Sequence, residues 1–151
     1  MAEIFVAHGA RSIEDTLIMS VNSVSKQHQK GQSILVFCRD VNIATKFSEG
    51  LWGIDKTSFI PHYFAGDEMI IPARIVICDE DIAKWASKLN PKPNLLINLS
   101  EDFIEEISLF PMVLEFVLND SKSKEMGRAR LQKYKAAGHE IKFHEFKYKK
   151  N

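Results

Sequence analysis

At 151 residues, with 45% hydrophobic and 26% charged side chains, the chain has apolar material for one buried core and too little length for two, which argues against long disorder and for a single domain over residues 1–151. Twenty basic and twenty acidic residues cancel to a formal net charge of zero, so a general attraction to polyanions is excluded and any contact with DNA is expected to run through another protein. Cys38 and Cys78 sit inside apolar runs at a spacing that fits no zinc motif, as free thiols in a reduced compartment do; the chain start is broken by Glu3 and His8, and no run is long enough to span a membrane, so the expected location is the cytoplasm.

In chain order, Glu3 to Ala7 reads as a first strand that leaves through the turn His8-Gly9-Ala10-Arg11. Ser12, with Asp15 three residues on, offers an approximate capping box. Ile13, Leu17, Ile18, Val21 and Val24 recur at helical spacing and predict a helix over 13–29 whose stripe faces a core. Lys30-Gly31-Gln32 stops it. Ser33 to Cys38 is a continuous apolar run of the kind buried on both faces of a parallel sheet, and Asp40 caps a second helix in which Ile43, Ala44, Phe47 and Leu51 share a side.

Two more apolar runs, Ala73 to Cys78 and Asn94 to Leu99, flank a short helix within 79–89 and the turn Asn90-Pro91-Lys92-Pro93. Met112 to Leu118 reads as a strand. A last helix runs from Ser121 to Ala137 with Gly138 at its C-cap, Glu140 to Phe146 alternates as an edge strand does, and Lys147 to Asn151 is a frayed tail. Alternating strands and helices without repeats or linkers predict the α/β class: a single three-layer α/β/α domain with a mostly parallel central sheet, Rossmann-like without a nucleotide motif.

That architecture invites a nucleotide-dependent enzyme, which is the alternative function. Neither G-x-G-x-x-G nor G-x-x-x-x-G-K-[ST] is present, and the single Gly9 after the first strand fits a plain strand-to-helix turn. There is no G-x-S-x-G elbow and neither cysteine has a neighbouring base. His139-Glu140 and His144-Glu145 look like a ligand cluster, yet a five-residue separation in an alternating strand sends the rings to opposite faces. Asp79-Glu80-Asp81 precedes a helix, where carboxylates suit the N-terminal dipole. No catalytic residue, metal or cofactor is therefore expected.

Leu51-Trp52, Ser58-Phe59-Ile60-Pro61-His62 and Ala65-Gly66 form a string that resembles the central motif of the chi subunit family of bacterial DNA polymerase III, a tryptophan followed by S-F-[VI]-P-H and a short A-G turn. Phe116-Val117, then Arg128-Ala129-Arg130, Tyr134-Lys135, Ala137 and Gly138, are similar to the R-x-R…Y-[KR]-x-x-G block of that family's last helix. The resemblance implies a non-catalytic adaptor with two docking surfaces. One, at Trp52, Phe59, Pro61 and His62, would bind psi, the partner that connects chi to the clamp loader, or an accessory helicase in its place. A rigid aromatic pair beside a proline is a suitable anchor for an interface.

The other surface, at Val117, Lys124, Arg128, Leu131, Lys135 and Gly138, would receive the acidic C-terminal tail of single-stranded DNA-binding protein. At 100° per residue Lys124, Arg128 and Lys135 fall within about 40° of one another and Leu131 about 20° outside that stripe. Cations beside an apolar rim suit a ligand that is anionic and hydrophobic at once, with Arg128 holding its carboxylate. Met126, Tyr134 and Ala137 are expected to pack on the sheet, and Arg130 to point the same way, either snorkelling or pairing internally, and not to belong to the ligand surface. Leu131 and Gln132 stand where the family often has an aromatic and a basic residue, which predicts a weaker or differently shaped pocket.

Overall fold

The structure, a computed structural model, describes residues 2–53, 60–68 and 73–146. Among these residues seven strands form one sheet: β1 (Glu3–Ala10), β2 (Ser33–Phe37), β3 (Tyr63–Phe64), β4 (Ile75–Cys78), β5 (Pro93–Asn98), β6 (Met112–Leu118) and β7 (Glu140–Glu145), in the order β3-β4-β2-β5-β6-β1-β7. Every pairing is parallel. The expected mostly parallel sheet is thus parallel throughout, and its inner strands are buried on both faces, as β2, buried at all five positions, shows.

Among the described residues four α-helices connect the strands: α1 (Ile13–Gln29), α2 (Val41–Trp52), α3 (Ile82–Lys88) and α4 (Ser121–Ala136), with a 3₁₀ turn at Glu105–Leu109. One core lies under α1 and α2, where Leu17, Val21, Val24, Phe47 and Leu51 meet Ile34, Val36, Ile75 and Ile97. The other lies on the opposite face, where Ile4, Val6, Leu35, Leu96 and Val113 meet Ile82, Ile107, Phe110 and Tyr134. Connections that step one way along the sheet therefore cover one face and those that step back cover the other, as the single hand of parallel crossovers requires. Three layers result.

The helix starts follow their sequence signals. The Ser12 hydroxyl accepts from the Asp15 N–H at 3.3 Å, and the Asp40 carboxylate accepts from the N–H groups of Asn42 and Ile43. Two expectations need correction. First, β1 continues to Ala10: Gly9, at φ +90°, absorbs one extra residue as a bulge, so pairing resumes and Asn119 N–H reaches Ala10 O at 2.8 Å. Second, Ile18 is 58% exposed; Thr16 and Ser20 complete the inner stripe of α1 instead, their hydroxyls bonded back to Ile13 O and Thr16 O. Asp79-Glu80-Asp81 does precede a helix: Asp81 stands at the start of α3 in the left-handed region, φ 55°, with no capping hydrogen bond from its side chain.

Candidate functional site

Helix α4 starts at Asp120, whose carboxylate accepts the Ser123 N–H at 2.8 Å. It ends with Ala137 and Gly138: at φ +89° Gly138 reverses the chain, Gly138 N–H reaches Lys135 O, and His139 N–H reaches Tyr134 O. Its buried residues are Ser123, Gly127, Arg130 and Tyr134, at helical intervals of four, three and four. This corrects the expectation for Met126, which is 37% exposed, and for Ala137, which is exposed; the line through 123, 127, 130 and 134 passes between them. A Cβ on Gly127 would lie 2.8 Å from Val117 Cγ2, so the missing side chain lets the helix sit directly on β6.

Arg130 turns inward, as expected. Its Nε lies 2.6 Å from Glu115 Oε1, with the N–H aimed off the oxygen, so the contact is a charge pairing rather than a hydrogen bond. Its other nitrogens donate to Glu101 O at 2.8 Å and Phe116 O at 3.1 Å. Glu115 is fully buried and its second oxygen accepts from Asn98 Nδ2 at 2.6 Å. Burial pushes the Glu115 carboxyl up to about 7, with Arg130, Asn98 and Tyr134 pulling the other way. Burial, with the Glu115 charge close by, also raises the Tyr134 phenol, whose oxygen accepts the Ile104 N–H at 3.1 Å.

The outward side of α4 carries the cations. Arg128, Leu131 and Lys135 line a groove of about 650 Å³ whose far wall is Ile141 and Phe143 of β7, with His139 at its end. Phe143 is 66% exposed. Burial depresses the pKa of His139, whose Nδ1 accepts the Ala2 N–H at 3.0 Å; Nε2 is left to carry the ring proton. No ion pair among the described residues involves Lys124, Arg128 or Lys135. Val117 and Lys124 line a neighbouring crevice of about 360 Å³ with His8 and Arg11, where β1 and β6 part because their connections leave for opposite faces. Gly138 forms the turn and lines neither cavity. Of the six residues expected at this surface, three thus share one groove, two sit beside it, and one shapes the chain that closes it.

The second group lies at the β3 edge, on the face covered by α2. Trp52, at the end of α2, is 57% exposed and meets His62 edge-on, ring centres 5.6 Å apart. The His62 ring is held from two sides, with Nδ1 2.8 Å from Ile60 O and Nε2 2.7 Å from Ser48 Oγ. A carbonyl only accepts, so Nδ1 carries the proton and the Ser48 hydroxyl donates to Nε2. Pro61 is half-buried beside it. Phe59, the remaining expected residue, lies outside the described residues, as does the tail 147–151.

Sequence reasoning missed Ile141 and Phe143 as groove residues and Glu115 as the partner of Arg130. A single carboxylate inside the run Met-Val-Leu-Glu-Phe-Val-Leu was the available signal for the latter, since a buried charge requires a counter-charge. The wall of β7 gave no comparable signal, because its place beside α4 depends on strand order.

The alternative sites carry less. Both helix starts at the β1/β6 crevice already hold their own acceptors, Ser12 and Asp120. Both thiols are buried, and burial raises Cys38 and pushes Cys78 up to about 12. No group of three metal-binding side chains occurs among the described residues, and no described helix is long and apolar enough to cross a membrane.

Fold and surfaces together define a parallel α/β protein whose prominent side chains, among the described residues, are exposed cations and an exposed indole. The chain belongs to the family described as DNA polymerase III chi subunit, HolC, which matches residues 2–142. It is 28% identical over 115 residues to the DNA polymerase III subunit chi of Escherichia coli (strain K12), covering 76% of this chain and 74% of that protein. It is 26% identical over 121 residues to the subunit chi of Haemophilus influenzae, covering 80% of each. The family is one of accessory, non-catalytic subunits, and membership gives the chain an accessory role in DNA replication. In fold it is similar to T4 UvsW, with a TM-score of 0.64 at 10% identity; the match covers 95% of this chain and 42% of that one.

Proposed function

We propose that this chain couples the replicase to coated single-stranded DNA by binding two proteins: psi, at the Trp52, Phe59, Pro61 and His62 edge, and the acidic C-terminal tail of single-stranded DNA-binding protein, in the groove between α4 and β7. The observation that carries the reading is the pairing of exposed Arg128 and Lys135 with an apolar wall of Leu131, Ile141 and Phe143. A guanidinium holds a terminal carboxylate through two parallel hydrogen bonds, and the wall takes the side chain of an apolar last residue. Where relatives carry an aromatic at the Leu131 position, Phe143 supplies a ring from the opposite side of the groove here.

Simultaneous binding is supported by position. The groove lies at the β7 edge under one face of the sheet and Trp52 at the β3 edge over the other. Six strand spacings separate those edges, about 29 Å at roughly 4.8 Å each. Neither ligand would obstruct the other. The test is Arg128→Glu in fluorescence polarisation with a labelled acidic peptide ending in phenylalanine. Loss of binding by tenfold or more, with psi still co-purifying, is expected; unchanged affinity removes the groove from the proposal.

A further inference from the structure

Helix α4 is attached to the sheet in an unusual way. Among its buried residues there is no aliphatic side chain: Ser123, Gly127, Arg130 and Tyr134 face inward, and the exposed remainder is mostly charged. A helix ordinarily docks through an apolar stripe, which fixes depth well but tolerates rotation and sliding. Here the guanidinium of Arg130 is held at three points on two segments, the Glu115 carboxylate and Phe116 O of β6, and Glu101 O after β5. Glu115 is itself fixed by Asn98 of β5. The two hydrogen bonds to Glu101 O and Phe116 O orient the rigid guanidinium plane, and the Glu115 charge holds it in place.

We infer that Glu115, acting through Arg130, sets the rotation of α4 and thereby the position of Arg128, Leu131 and Lys135 against β7; the pair positions the groove without touching its ligand. Arg128 and Arg130 stand about 200° apart around the helix, so locking one azimuth locks the other. Gly127 on Val117 sets the depth of the same helix one turn earlier. A buried ion pair is a poor source of net stability and a better attested source of structural specificity. The inference rests on the groove being a peptide site, and it separates stability from geometry.

The test replaces both partners with apolar residues of similar size, Glu115→Leu with Arg130→Met, at pH 8, where the carboxyl is ionised in the unaltered protein. Urea unfolding is expected to give wild-type stability or better. Affinity for an acidic peptide ending in phenylalanine should nevertheless fall tenfold or more, while psi still co-purifies. Arg130→Lys, which keeps the charge and loses the fork, should lose affinity by three- to tenfold. Wild-type affinity in the stable double variant overturns the inference.

If the unaltered protein fails to bind the peptide, the functional reading falls, and amide exchange still decides the positioning role. Residues 128–135 should exchange at least tenfold faster in the double variant while the amides of β2 keep their protection. Equal exchange in α4 overturns the inference. Should the double variant not fold, the same two measurements on Arg130→Lys decide it in the same way.

Discussion

Replacing Glu115 with Gln isolates one buried charge whose effect on stability can be worked out with its sign. The carboxyl is fully buried among Arg130 and Tyr134 of α4 and Asn98 of β5, and burial raises its pKa from an ordinary 4.5 to about 7. A carboxyl with a raised folded pKa binds more protons in the native state than in the unfolded one between those two values. Its contribution is therefore greatest below about pH 4.5 and is lost as pH rises through about 7. At about 1.4 kcal/mol per pH unit, the gap amounts to about 3 kcal/mol.

Gln has the shape of the protonated acid and cannot ionise. The variant should match the unaltered protein at pH 5 and exceed it by about 3 kcal/mol at pH 8, in urea unfolding at both values. The difference between the two proteins matters more than either curve, because the depressed His28 and His139 impose an opposite slope near pH 6 on both. A variant less stable than the parent at pH 8, by the several kcal/mol typical of a broken buried pair, would show that attraction to Arg130 outweighs desolvation and would refute the reasoning.

Trp52→Ala should change stability by less than about 1 kcal/mol, because the ring is 57% exposed, yet abolish co-purification with psi; full recovery of psi would remove that edge from the proposal. Gly138→Ala places a side chain at φ +89° and should cost about 1 kcal/mol, read as a fall of roughly 2–4 °C in Tm. Cys38 and Cys78, buried with raised pKa values, should resist a thiol reagent at pH 8 for as long as the protein stays folded and react fully in urea; rapid native labelling would contradict their burial.

Local signals account for most of the elements. The helix over 13–29, the strand over 112–118 and the stop at Gly138 were legible because caps, apolar periodicity and glycine act within a few residues of chain. The two-residue strand Tyr63–Phe64 and the 3₁₀ turn at 105–109 were not, since neither is long enough to show a period. The inward turn of Arg130 followed from helical phase alone. The errors at Ile18, Met126 and Ala137 came from assuming that apolar residues near the inward side face the core. In α1 and α4 hydroxyls, a glycine and an arginine occupy those positions instead, because each finds a partner there.

The sequence by itself determined the α/β class, the family and the identity of the exposed cations, because periodicity, caps and motif order are properties of neighbouring residues. Only the tertiary structure decided which residues face those cations. Ile141 and Phe143 become the wall of the groove because β7 crosses to the outer side of β1 and lies beside α4, and Glu115 becomes the anchor of that helix because β6 runs beneath it. Strand order is set by the packing of whole layers, a long-range balance that no local pattern encodes.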